Sequence, residues 1–223
     1  MTSPPRGDGS TNPAAFDPDC RRCARLAGFL DQVGRAHPGY HCRPVPPFGD
    51  PQARLLVVGL APGMHGANAS GRPFTGDHAG IILYRTLHAF GFSSRPESRS
   101  ADDGLRLHGC RITNAVKCLP PANKPTGGEV RECRRFLATE LAGLPEGAVV
   151  LALGRVAHDA VCAGLGLRRC ALAFAHGRAH PLPAARGLVD SYHCSRYNTQ
   201  TRRLTPPMFD AVFARVAELL DAG

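Results

Sequence analysis

Residues 55–77, LLVVGLAPGMHGANASGRPFTGD, constrain this chain more than any other stretch. An apolar run opens the segment and breaks at Gly59 and Pro62–Gly63. A short apolar run bounded by turn formers reads as a fully buried strand. Gly, Ser, Asn, His and Thr follow, then Phe74, Gly76 and Asp77. A buried strand that opens into a glycine-rich polar loop is how open α/β sheets build a site at their carboxyl edge. The loop is expected to form a catalytic pocket that the rest of the chain holds or supplies.

The remaining periodicities alternate between strand and helix. Strands are expected at 55–60, 110–116, 149–153 and 188–192. Helices are expected at about 24–35, 78–90, 129–141, 155–163 and 206–220, the last with Pro206 and Pro207 in its first turn, where a missing N–H costs little. A small hairpin is expected over 172–182. Alternating strands and helices imply a parallel sheet covered on both faces. The expected class is α/β, a three-layer sandwich around a four-stranded parallel sheet. Residues 1–16 are polar and Pro-rich and read as a disordered tail; residues 17–223 read as one domain. Three of the four strands end in polar loops, which a parallel sheet brings to one edge.

Composition enters through charge. A net charge of +9 over 223 residues points to a polyanionic partner, nucleic acid before membrane. The opening residues carry no apolar core of a secretory signal, and no run approaches the roughly 20 apolar residues of a spanning helix. The expectation is a soluble, cytoplasmic monomer that makes no membrane contact. Nine cysteines in a reducing compartment read as metal ligands or small core residues rather than disulfides.

Cys20-x2-Cys23 precedes the first helix, and Cys118 and Cys133 flank the loop KCLPPANKPTGGE. Four thiolates hold either zinc or an iron–sulfur cluster. A zinc ribbon carries two C-x2-C knuckles, and the second is absent here, which tilts the reading toward a cluster. Of the others, Cys110, Cys162 and Cys170 read as core, and Cys42 is the rival for a ligand position. Three polar loops carry the remaining candidates: His65, Asn68, Phe74 and Asp77; Asn114, Asn123 and Lys124; His193, Ser195, Arg196 and Asn198. Asp77 directly precedes a helix, so capping competes with chemistry as its role. Asn114 is unusual in a strand, and a buried amide there needs partners, of which a ligand edge is one.

With these residues in place, GLAPGMHGANASGRPFTGD, ITNAVKCLPPANKPTGGE and SYHCSRYNT together resemble the uracil-DNA glycosylase superfamily, above all its fifth, B-type family with an iron–sulfur cluster. The resemblance covers about residues 20–199 in order. It implies a [4Fe–4S] cluster on Cys20, Cys23, Cys118 and Cys133. It implies removal of uracil, with hypoxanthine and xanthine as further candidates, from double-stranded and single-stranded DNA, leaving an abasic site. Phe74 falls where the family stacks the flipped base, Asn114 where an amide reads the pyrimidine edge, and His193 where the last motif's His donates toward the leaving base. Ala61 replaces the usual polar residue of the first motif, with Asp77 as its substitute. Cys194 replaces the Pro that commonly follows the His.

The chemistry agrees. A base inside a duplex must be extruded and read by its face and edge. Phe74 supplies a face, and Asn114 a donor and an acceptor. His193 and the backbone N–H groups of the 59–66 turn suit the charge that builds on the leaving base. An ionised Asp77 suits the cation on the sugar and orients water. Gly59, Ala61, Gly63, His65 and Asn123 complete the expected substrate contacts. Ser195, Arg196, Tyr197 and Asn198 are expected on DNA, Arg196 with Tyr197 and Asn198 probing the minor groove. Lys117, Lys124, Arg131, Arg134 and Arg135 are candidate phosphate ligands. A non-catalytic iron–sulfur binder of damaged DNA is the alternative, and a zinc-containing nucleotide hydrolase a third reading.

Overall fold

The computed structural model describes residues 16–168, 171–183 and 187–222. Cys170 and the expected tail lie outside the described residues, except Phe16, whose ring centroid is 6.2 Å from that of Phe136. In chain order the elements are α1 (Ala24–Ala36), β1 (Phe48–Gly49), β2 (Leu55–Gly59), α2 (Ala67–Ser70), α3 (His78–Ala89), β3 (Cys110–Asn114), α4 (Gly127–Ala142), β4 (Val149–Leu153), α5 (Arg155–Gly164), β5 (Ala179–Pro181), β6 (Gly187–Ser191), α6 (Arg196–Gln200) and α7 (Pro206–Asp221), with a 3₁₀ turn at Pro121–Asn123.

The sheet runs β1-β3-β2-β4-β6-β5. The four expected strands form its parallel core, and β1 and β5 add short antiparallel edges that make six strands. The expected 172–182 hairpin is instead the single strand β5, which pairs with β6 and carries Pro181 on the sheet edge, where a missing N–H is tolerated.

Every residue of β2 and β4 is buried. Successive side chains point to opposite faces. Leu55 and Val57 pack with Leu83 and Leu87 of α3 and Phe209 and Phe213 of α7. Leu56 and Val58 pack with Leu137 and Leu141 of α4 and Val161 of α5. Each such fully buried side chain is worth roughly 2 kcal/mol. The chain leaves β2 toward β3 and leaves β4 toward β6, the opposite direction. Right-handed crossovers then put α3 on one face and α4 and α5 on the other. The crevice of such a sheet lies where the order reverses, at the carboxyl ends of β2 and β4.

A buried knot fixes the last strand. Asp190 of β6 pairs through one oxygen with His158 Nδ1 of α5 at 2.7 Å and through the other with His180 Nε2 of β5 at 3.0 Å. It also accepts from the Ala175 N–H at 3.2 Å. These three side chains are the one His/Cys/Asp/Glu set among the described residues whose donor atoms all lie within 4.8 Å. Their direct contacts fill the space an ion would need. Among the described residues no helix is long and apolar enough to cross a membrane.

Candidate active site and four-cysteine centre

Three strand ends meet at one cavity of about 430 Å³, lined by Leu60, Ala61 and Gly63 after β2, Phe74, Asp77 and His78 before and at the start of α3, Asn114 at the end of β3, Asn123, and His193, Ser195 and Arg196 after β6. The three candidate loops therefore converge.

Gly59 lies beneath this cavity, opposite Asn114 in the β2–β3 register. A Cβ at 59 would sit 2.6 Å from Phe74 Cζ and closer still to Asn114 Oδ1. The absent side chain is what admits both groups. Asn114 is buried, and among the described residues no protein group hydrogen-bonds its side-chain amide. The amide is not among the fully enclosed polar atoms that lack a partner; it opens onto the cavity and is free to meet what enters.

Phe74 holds a left-handed φ of 55°, uncommon for a residue with a Cβ. Its neighbours enforce that turn. Tyr84 Oη donates to Pro73 O at 2.9 Å, and Arg72 Nε donates to Thr75 Oγ1 at 2.9 Å. Arg72 is buried, paired with Asp103 at 2.6 Å and donating to Ser98 Oγ at 2.6 Å. Burial alone would lift the Asp103 carboxyl, but the Arg72 guanidinium and the N–H groups of Leu105 and Arg99 hold it well below the usual range. Sequence reading missed Arg72, because nothing in GRPFTGD marks an arginine as buried.

Asp77 caps α3, accepting from the Gly80 N–H at 2.8 Å, so the capping role is real. Its second oxygen faces the first loop, within 2.7 Å of where a Cβ on Gly66 would lie. Burial raises its carboxyl above the ordinary value; the Gly80 and Ala79 N–H groups and the charge of His78 pull it part of the way back. Capping and cavity lining coexist at this residue.

His193 packs beside Phe74, ring centroids 6.0 Å apart and planes 29° apart. Enclosure by protein pushes its imidazole down to about 4, so the ring is neutral at physiological pH. Asn198 Nδ2 donates to His193 O at 2.8 Å, and Ser195 Oγ caps α6 by accepting from the Asn198 N–H at 3.4 Å. Asn198, expected on DNA, thus braces the loop. Cys194 is fully buried in the core beside this loop. Tyr197 is 70% exposed, beyond the cavity.

His65 does not line the cavity. It is exposed and turned away, with Nδ1 2.9 Å from Tyr40 Oη. Asn68 is also turned away, its Nδ2 donating to Cys42 Sγ at 3.5 Å. That contact commits Cys42 elsewhere than the cysteine centre. Lys117 is no phosphate ligand: it is buried, 2.7 Å from Glu140 and bonded to Thr113 Oγ1. Leu60, Ala67, His78 and Ala79 also line the cavity and carry no signal in the sequence pattern. His78 follows a helix cap, where a polar residue reads as ordinary.

The four expected cysteines share a second hollow with Leu26, Val116 and Phe136. Arg25 Nε and Nη2 hold Glu129 at 2.8 and 2.7 Å, and Arg22 pairs with Glu132, so the Cys20–Cys23 segment is clamped to α4. Thr126 and Glu129 form a reciprocal cap that starts α4 and places Cys133. The Lys117 N–H donates to Cys133 Sγ at 3.3 Å. Burial and the neighbouring thiols push Cys118 up to about 12. No three of the four thiols all lie within 4.8 Å of one another. Four thiols around one hollow are the donor set of a zinc ion or of an iron–sulfur cluster.

The sequence profile of the "Uracil DNA glycosylase superfamily" matches residues 46–217. The chain belongs to the uracil-DNA glycosylase superfamily. It is 53% identical over 205 residues to the "Type-5 uracil-DNA glycosylase" of Thermus thermophilus, covering 90% of this chain and 93% of that protein. Identity to the protein of the same name from Pyrobaculum aerophilum is 43% over 209 residues, 92% of this chain and 90% of that one. The "Type-4 uracil-DNA glycosylase" of Archaeoglobus fulgidus is 36% identical over 114 residues, about half of each chain. The superfamily match spans all three cavity loops but not Cys20 and Cys23.

Proposed function

We propose that this protein is a monofunctional DNA glycosylase that takes uracil out of DNA and hydrolyses its N-glycosidic bond, leaving an abasic site. The observation that carries the reading is the convergence of Phe74, Asp77, Asn114 and His193 on one cavity, in a chain whose type-5 relatives are named for this activity.

Phe74 offers a ring face to the extruded base. The unpaired Asn114 amide offers a donor and an acceptor to the O4/N3–H edge of uracil. As the C1′–N1 bond breaks, the electron pair stays on the base. A neutral His193 donates an N–H to that charge, worth most in an enclosed site. Ionised Asp77 stabilises the sugar cation and orients the water whose oxygen bonds to C1′, and the proton that water loses ends on the released base anion. Ala61 leaves room that a polar side chain would fill, which supports acceptance of hypoxanthine and xanthine. Asn123, Ser195 and Arg196 line the cavity, and with the exposed Tyr197 beyond it they would meet the DNA, double- or single-stranded.

Cys20, Cys23, Cys118 and Cys133 would hold a [4Fe–4S] cluster. It would act as a staple for the Pro-rich loop that carries Asn123. Residues 17–223 act as one domain, as a cytoplasmic monomer. Purified protein incubated with a uracil-containing duplex should release free uracil. DNA binding without base release would instead establish the non-catalytic binder.

A further inference from the structure

The cavity is built from two sides that the sheet alone does not join. One is the first turn of α3, with Asp77. The other is α6 and its flanks, with His193 before it and Ser195 and Arg196 at its start. Among the described residues a single side-chain hydrogen bond bridges them: His78 Nε2 lies 2.9 Å from Thr199 Oγ1.

The polarity of that bond follows from the other partners of Thr199. Its one hydroxyl proton faces two carbonyl acceptors, Ser195 O at 3.2 Å and Arg196 O at 3.0 Å. The lone pair left over points to His78, so His78 donates from Nε2. His78 is the residue next to Asp77, half-buried, and it lines the cavity itself. It also borders a groove running outward along Ile81, Arg85 and Arg202.

We infer that His78 is a positioning residue: its bond to Thr199 sets the Asp77 carboxylate against the nucleotide that α6 and its flanks engage. The inference rests on Asp77 serving as the catalytic carboxylate. Binding of DNA by α6 then registers at the first turn of α3, without any contact between DNA and Asp77 outside the cavity.

The test is a double-mutant cycle on single-turnover uracil release, with duplex affinity and melting temperature measured beside it. His78→Ala and Thr199→Val should each slow release about ten-fold, the rate equivalent of one neutral hydrogen bond. The double variant should be no slower than either. His78→Gln and Thr199→Ser keep the donor and the acceptor and should restore the rate to within about two-fold. Affinity for an uncleavable duplex should not move. Additive losses, failure of both conservative variants to restore, or a loss confined to affinity would overturn the inference. If His78→Ala does not fold, the Thr199→Val and Thr199→Ser pair decides alone. Asp77→Asn run in parallel separates the two readings. If it leaves the rate intact, Asp77 is not the catalytic carboxylate. If it abolishes release while the cycle is additive, only the bridge is wrong.

Discussion

Gly59 and Asn114 face each other across the β2–β3 ladder, and the empty space above Gly59 is filled by the Asn114 amide and the edge of the Phe74 ring. A methyl group at 59 would stand 2.6 Å from Phe74 Cζ. Gly59→Ala should therefore displace both groups while β2 still pairs. Displacements of about 1 Å in such sites cost about 10²-fold in rate. Single-turnover release should fall by that order, with far-UV circular dichroism unchanged.

The acid side of the pH–rate profile should report Asp77. Burial lifts its carboxyl, and the role proposed for it needs the ionised form. The rate should drop as pH falls, beginning above the range of an ordinary aspartate. His193, at about 4, is neutral at physiological pH and protonates only in acid, where losing its neutral form would steepen the same limb. The stability sign is the reverse. A carboxyl raised in the folded state favours folding when protonated, and that contribution is lost as pH rises through the folded value. Asn caps helices as well as Asp does. Asp77→Asn should lose activity yet melt no lower than the parent at neutral pH, and differential scanning fluorimetry across pH checks it.

Arg72 and Asp103 form a nearly buried pair beneath the Phe74 turn. Removing one partner leaves an uncompensated charge, typically at a cost of 3–5 kcal/mol. Asp103→Ala should destabilise by about that much in urea unfolding and slow uracil release as the Phe74 turn relaxes. Replacing the exposed Arg99–Glu97 pair should do neither.

Cys118→Ser and Cys133→Ser should each lose iron and acid-labile sulfide, measured on protein purified without oxygen. Cys42→Ser should keep both, because Cys42 is bonded to Asn68 and lies outside the four-cysteine hollow. Loss of iron from Cys42→Ser would reassign the fourth ligand.

The parallel core, its helices and the meeting of three loops were legible because Leu55–Gly59 and Val149–Leu153 are continuous apolar runs, and because strand ends in a parallel sheet share an edge. β1 and β5 were not, since two or three residues carry no periodicity. His65 was read as a ligand from its place in a glycine loop, but a loop residue's direction depends on tertiary partners, here Tyr40. Lys117 reads as a candidate phosphate ligand from its charge. Only the fold reveals that Glu140 and Thr113 enclose it. Asn198 illustrates the same limit: a polar residue in a DNA-facing motif spends its amide on the His193 carbonyl.

Asp77, Asn114 and His193 arrive on segments spread over more than half the chain, and the last of them hangs from the strand that Asp190 knots to α5 and β5. A fragment that ends before β6 carries Phe74, Asp77 and Asn114 but not His193. The set is complete only when β6 has paired with β4.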